Sequence, residues 1–398
     1  MQALMTSDNA AKRDSPLAIF LRFLRFGCLA WGGPVAQIAM IRRELVDEAK
    51  WIDGPGFNRL LAAYQVLPGP EAHELCVHLG TSRGGRLGGI LAGLGFMLPG
   101  FFLVLALSAL YARVAIDEPP LSAIFLGMQV GVLAIIARAV LRIGGDILSD
   151  RWTWAIAIVT FAATMAGLSF WILLPAAGAA YALERRGSAI AAAGVLLAGL
   201  AIGYVLMSPG APSSAAAPSY IEAGVLALFW TGLKAGLLTF GGAYTAIPFV
   251  RDDAVGRGWL SDAQFLDGLA LSGIVPAPLI IFATFVGFQV AGLAGAVAIT
   301  VGIFLPAFLF GTLFHSRIER ITADTRLHDL LEGVAAGVVG IIAATAVDIA
   351  IKLWPSITIP VGAIAIFAAG LAIAYFWRSK LAVLAVIAAS AVGGLILF

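Results

Sequence analysis

The sequence predicts an all-α, polytopic membrane protein of about thirteen transmembrane helices, built as two homologous six-helix units in inverted orientation with one linking helix between them. Three observations carry that prediction. The 398 residues are 61% hydrophobic and only 12% charged, whereas a soluble domain is nearer a quarter charged. Apolar runs of bilayer-spanning length recur along the chain. A set of punctuating residues also repeats at one offset: Gly32-Gly33 as Gly241-Gly242, Trp51 as Trp259, Phe57 as Phe265, Pro68 and Pro70 as Pro276 and Pro278, Leu98-Pro99 as Leu305-Pro306, and Gly131 as Gly337. The offset drifts only from 209 to 206, which chance matches would not sustain.

In chain order, residues 1–16 are polar, carry Lys12 and Arg13 and lack the apolar core and cleavage site of a signal peptide, so they read as a cytoplasmic tail. Apolar stretches follow near 17–41, 57–80, 87–112, 121–144, 153–166, 170–183, 188–207, 221–250, 262–288, 291–314, 329–351, 357–377 and 381–397. The stretches 153–166 and 170–183 are too short to cross a bilayer upright. They read either as one helix interrupted at Gly167 or as a hairpin of two short ones. The first unit is read as 17–183 and the second as 220–398. Residues 184–219 hold the linking helix and an uncharged Pro/Ser/Ala linker at 208–219.

Six crossings plus one linking helix make the second unit enter the membrane upside down. With the N-terminus inside, sixteen Lys and Arg fall on the inner side against six outside, which supports a cytoplasmic N-terminus and an external C-terminus. One loop opposes the rule. Residues 42–59 carry Arg42, Arg43, Lys50 and Arg59 on the outer side, and the neutralising Glu44, Asp47, Glu48 and Asp53 count little.

Gln65-Val66-Leu67-Pro68-Gly69-Pro70-Glu71 lies in the middle of the second apolar stretch. Two prolines and a glycine break a helix there, and in lipid the freed backbone groups are tolerated only against protein or a wet cavity. Val275-Pro276-Ala277-Pro278 repeats the interruption in the second unit. Paired broken helices at mid-depth point to a transporter's substrate site. A helix starting after Pro70 or Pro278 presents bare N–H groups and its positive dipole end, which suits an anion. Gly32-Gly33-Pro34 and Gly241-Gly242 bring further backbone close, or serve helix packing. Arg25 and Lys234 precede the glycine pairs at matching distance and either attract an anion or snorkel to the interface.

Intramembrane charge is costly and marks function. Glu71, His73, Glu74 and His78 follow the first interruption. Glu71, Glu74 and His78 share one helical face at i, i+3 and i+7, and His73 points elsewhere. They form a proton-accepting cluster or a polar packing patch. The second interruption is followed by Leu279, Ile280, Ile281 and Phe282, so the titrating groups are expected in the first unit. His73 and His78 are at i and i+5, unlike the i, i+4 pair of a zinc-protease helix, and no phosphate-binding loop is present. No metal, cofactor or nucleic-acid partner is expected. Cys28 and Cys76 read as packed, reduced thiols.

Taken together, 26–34, Leu67-Pro68-Gly69-Pro70-Glu71-Ala72-His73-Glu74-Leu75, 88–99, Thr239-Phe240-Gly241-Gly242-Ala243-Tyr244 and 269–287 resemble the chromate ion transporter family in its long, two-unit form, across residues 17 to about 350. Ala30-Trp31 departs from the Thr-Phe pair that stands at Thr239-Phe240. The resemblance implies a bacterial inner-membrane protein that exports chromate, is driven by the proton gradient and confers chromate resistance. In that reading the oxyanion lies between Gln65, Pro68, Gly69, Pro70, Pro276 and Pro278, with Arg25 and Lys234 close. Glu71 and Glu74 with His73 take up protons outside and release them inside. Sulfate or another oxyanion fits the same features, as importer or exchanger. An intramembrane enzyme lacks any visible nucleophile–base pair, so the chain is read as a transporter rather than an enzyme. Oligomeric state is not read from the sequence.

Overall fold

The computed structural model describes residues 14–114, 116, 118–206, 224–316, 318, 324–377 and 379–398. The tail with Lys12 and Arg13 and the 208–219 linker lie outside the described residues. Those described are helical and contain no strand.

Helix α1 (Pro16–Cys28) ends at Leu29, and α2 (Gly33–Arg42) starts at a pair of glycines with positive φ, Gly32 (90°) and Gly33 (76°). The chain then returns to the face it left. Beyond α2, Trp51 packs on Phe23 with ring centroids 6.0 Å apart. The guanidinium of Arg22, in α1, lies 5.2 Å from the same ring. The next two elements repeat the manoeuvre. Helix α3 (Gly54–Val66) runs inward and α4 (Glu71–Tyr111) runs back, so that the Tyr64 hydroxyl meets His78 Nδ1 at 2.9 Å. Straight, the 41 residues of α4 would span about 60 Å. Instead α4 folds on itself at Gly84-Gly85, where Gly85 takes φ 63°. Gly80 therefore packs on Gly88 and Ala92, and His73 lies 6.2 Å from Phe96.

Each of the stretches 17–41 and 57–80 is thus two helices joined by a turn, not one continuous helix. Arg83, at the fold of α4, also covers Trp51, at 5.3 Å. Trp51, in the basic loop at 42–59, therefore lies beside Arg22 and Arg83. The second half repeats the design. Helices α9 (Val225–Leu237) and α10 (Ile247–Ala254) are tied by Lys234 to Asp253. Helix α11 (Asp262–Gly273) folds against the start of α12 (Phe282–Thr312), with Phe265 5.7 Å from Phe282. Helix α12 turns back at Ala291-Gly292, bringing the Thr284 and Thr300 hydroxyls to 2.7 Å. Residues 224–250 and 262–288 are likewise each folded into helices joined by a turn.

Among the described residues, five segments are long and apolar enough to span: Glu71–Tyr111, Leu121–Ile147, Ala189–Leu206, Leu279–Thr312 and Thr325–Ser356. They include α5 (Leu121–Ile147), α8 (Ala189–Leu206) and α13 (Thr325–Leu353). The short pair α6 (Arg151–Met165) and α7 (Phe170–Glu184) is a hairpin of two helices, turned at Gly167 and closed by the Tyr181 hydroxyl donating to Asp150 at 2.8 Å. Helices α14 (Pro360–Phe376) and α15 (Ala382–Leu397) form its counterpart. The halves interlock. Gly337 and Gly340 of α13 receive Ala157, Thr160 and Leu174, while Gly127 and Gly131 of α5 receive Ser390 and Gly394. Small residues permit this close approach in lipid.

The long arms of α4 and α12 run antiparallel. Gly89 faces Thr312, Gly93 faces Phe308, and the Gln289 amide donates to the Ser108 carbonyl at 3.0 Å. The four hairpin tips meet between them. Gly69 N–H donates to the Thr239 carbonyl at 2.8 Å. The Gln37 amide donates to Ala30 and Ala277 carbonyls at 3.0 and 3.1 Å. Each interruption is therefore satisfied by the other half of the chain, as irregular backbone at membrane depth requires.

Candidate functional site

The first interruption opens onto a cavity of ≈ 610 Å³. Gln65, at the end of α3, and Glu71, the first residue of α4, line its floor. Phe240 and Gly241 come from the opposite half, where Gly241 (φ 70°) and Gly242 (φ 123°) hold a turn against Pro34. The last turns of α5 add Arg142 and Asp146, and the first turns of α13 add His328 and Glu332, 3.6 Å apart. The lining combines one guanidinium with carboxylates from three helices. Its mouth lies at the end of α5 and the start of α13. That is the face of the α4 fold, because Gly89 and Thr312 are neighbours there.

Pro70 is the residue before α4, and its carbonyl accepts from the His73 and Glu74 N–H groups at 2.8 and 3.1 Å. Those two amides are therefore engaged. The start of α4 instead presents the Glu71 side chain, which is 7% exposed, to the cavity. Glu74 is fully buried, without a hydrogen-bond partner among the described residues. Its carboxyl lies against Gly69, where any Cβ would occupy its place. His73 points the other way, as the spacing requires, into a box of Phe96, Phe304 and Phe308 with centroids 6.2, 4.7 and 5.0 Å away. Neither of its ring nitrogens has a hydrogen-bond partner among the described residues. His78 meets Tyr64 and, across the halves, His315 at 3.2 Å.

Arg25 and Lys234 lie elsewhere. Arg25 is largely exposed and pairs with Glu44 at 3.1 Å. Lys234 pairs with Asp253 at 2.6 Å, and its ammonium lies 5.3 Å from the Phe170 ring. Each is held by a carboxylate nineteen positions further along the chain, and neither lines the cavity of Glu71. Gly32 is covered by the backbone of Lys380. Pro276 and Pro278 frame the second interruption, and Leu279 just beyond it lines a narrow gap with Val132, Ile136 and Leu269.

Several polar groups were hidden from sequence reasoning. Arg142 sits at the polar end of an apolar run and reads as a loop residue. Asp267 is a buried carboxylate of the second unit that the expectation of titrating groups in the first unit passed over. It is 3% exposed and accepts from the Tyr111 hydroxyl at 2.7 Å and the Gln129 amide at 2.8 Å. It precedes the second interruption, where the first unit's carboxylates follow theirs. Tyr64 and His315 gain meaning only from contacts across hairpins.

A helical membrane chain with interrupted helices around a charged mid-depth cavity belongs to the membrane transporters. More particularly, the chain belongs to the chromate transporter family, whose sequence model matches residues 17–183 and 226–395. It is 57% identical over 388 residues to the chromate transport protein of Pseudomonas aeruginosa, covering 96% of this chain and 92% of that one. It is 32% identical to the chromate transport protein of Cupriavidus metallidurans, covering 83% and 82%, and 31% identical to a probable chromate transport protein of Synechococcus elongatus, covering 82% of each. No solved structure matches the chain.

Proposed function

We propose that this protein exports chromate across the bacterial inner membrane, that the proton-motive force drives it, and that it confers chromate resistance. The carrying observation is the cavity that places Arg142 and Glu71 together at the first interruption. A tetrahedral dianion there has the guanidinium as countercharge and the Gly241 turn as backbone lining. It also has Glu71 as neighbour. At an effective dielectric constant of 20, two unit charges 4 Å apart interact by about 4 kcal/mol. The cavity therefore loads best when Glu71 carries a proton, so the proton leaves with the anion, against its own concentration gradient and opposite to the inward proton movement expected from the sequence, and the electrical component of the proton-motive force drives export. One proton leaves the load singly negative. The inside-negative potential favours outward movement of that load by about 2.3 kcal/mol per charge per 100 mV.

In this reading the chain comprises two inverted units, 17–183 and 220–398. The antiparallel arms of α4 and α12 and the paired hairpins support it, and rocking of one unit against the other provides alternating access. The N-terminus is cytoplasmic, the C-terminus external, and the cavity faces inward.

The test is chromate uptake by everted membrane vesicles with an interior-positive potential. The wild type accumulates chromate, faster as the pH on the loading side is lowered. Arg142→Gln abolishes accumulation, and Glu71→Gln accumulates without pH dependence. Sulfate, which does not titrate in that range, serves as competitor. Accumulation only in right-side-out vesicles would instead establish the importer.

A further inference from the structure

Matching residues of the two units enclose very different spaces. Leu61, Gln65 and Glu71 line the cavity of ≈ 610 Å³. At an offset of 208 they correspond to Leu269, Gly273 and Leu279. Those three line the gap beside the second interruption, whose volume is ≈ 10 Å³. One side of the repeated design is open and the other is shut.

An ion cluster holds the shut side. Arg251 of α10 is largely buried. It donates to Asp262, the first residue of α11, at 2.7 Å and to Asp348 of α13 at 2.8 Å. Lys352, one turn beyond Asp348, lies 3.1 Å from it and 3.9 Å from Asp262. The cluster thus ties α10 and α11 to α13. The offset of 206 that pairs Gly131 with Gly337 also pairs Arg142 with Asp348 and Asp146 with Lys352. Arg142 and Asp146, with the signs reversed, line the open cavity. Arg43 corresponds to Arg251 at the offset of 208. It pairs with Glu44 and Glu48 of its own segment, at 3.8 and 3.7 Å. The tie that closes the second unit is therefore replaced in the first by local pairs. Glu332 at the cavity and Lys352 in the cluster are twenty positions apart on α13, about 30 Å along the helix. The open mouth and the cluster stand at opposite ends of one spanning helix.

We propose that Arg251, Asp262 and Asp348 form the gate latch on the shut side of the transport path. The path opens to the opposite face when the latch parts and the cavity between α2, α3 and α5 closes. Such a cluster suits a reversible latch. Its charges hold one another while the side is packed, and they lose little on parting into water because solvated ions need no partner.

The latch rests on the alternating access proposed above, and labelling tests it without any substrate. Single cysteines, Gln65→Cys or Leu279→Cys, are placed on a background with Cys28 and Cys76 replaced. An impermeant thiol reagent is applied to each face in right-side-out and everted vesicles. Gln65→Cys is expected to label from one face and Leu279→Cys only weakly. Adding Arg251→Gln or Asp348→Asn removes a charge-assisted bond. Labelling of Leu279→Cys, from the other face, should then rise about tenfold while that of Gln65→Cys falls. A rise at both positions is general loosening and overturns the latch, as does no change at either. In a second measurement, Arg251→Cys and Asp348→Cys are joined by a short reducible cross-linker. Chromate accumulation in everted vesicles should stop and return on reduction. Accumulation that continues in the joined protein overturns the latch. Opposite labelling changes in a protein that accumulates no chromate uphold the latch and remove the chromate reading instead.

Discussion

Glu71 and Glu74 stand one helical turn apart on α4, and their surroundings differ entirely. Glu71 faces a charged cavity, and Glu74 lies against Gly69 without a hydrogen-bond partner among the described residues. Their shared face was legible from the i, i+3 spacing. The difference was not, because it is set by Arg142 and Asp146 on another helix. Arg25 and Lys234 show the opposite case. Their matched positions were legible, but their partners Glu44 and Asp253 lie across a hairpin that apolar periodicity does not reveal. Asp150 is the residue outside the spans whose chemistry is most defined. Burial pushes its carboxyl up, but the Trp152 and Thr153 N–H groups and the Tyr181 and Thr153 hydroxyls outweigh that and hold it below the usual carboxylate range. A carboxyl depressed on folding contributes stability above its ordinary range, and that contribution is lost as pH falls through the folded value. Asp150→Ala removes the helix cap and the bond that closes the α6–α7 hairpin, and should destabilise by about 1–2 kcal/mol. Asp150→Asn keeps part of the cap and should cost less. Thermal melts in detergent near neutral pH and in acid check both, and the Asp150→Ala deficit should shrink in acid.

At the scale of elements, the proline interruptions and the glycine pairs were visible in the chain, and the structure places all four at hairpin tips. Their consequence was harder to see. A 24-residue apolar stretch with a break reads equally as a kinked crossing or as two half-length helices that return, since length and hydropathy are the same. The discriminating contacts are between distant residues, such as Trp51 on Phe23 and Tyr64 on His78. The unexpected basic residues at 42–59 were the one sequence signal of a return. Impermeant thiol labelling on a background with Cys28 and Cys76 replaced tests it. Asp47→Cys and Arg86→Cys should label from the same face and Lys352→Cys from the other. Asp47→Cys labelling with Lys352→Cys would restore the crossing.

Across the whole molecule, the 209–206 offset foretold two related halves, and the packing shows how far they depend on each other. Helices α6 and α7 lie against α13, α15 lies against α5, and each interruption bonds to the other half. No such exchange follows from sequence, because every crossing helix is apolar on most sides and its neighbour is chosen by glycine stripes of complementary shape. The cavity inherits this. Arg142 and Glu71 come from one half, and Gly241, His328 and Glu332 from the other. The most direct measurement is equilibrium binding of chromate to the purified protein over a pH series, for the wild type, Arg142→Gln and Glu71→Gln. Affinity is expected to rise as pH falls in the wild type, to weaken by about tenfold or more in Arg142→Gln, and to be indifferent to pH in Glu71→Gln. Wild-type affinity in Arg142→Gln, with loss of binding in Arg25→Gln or Lys234→Gln instead, would contradict it.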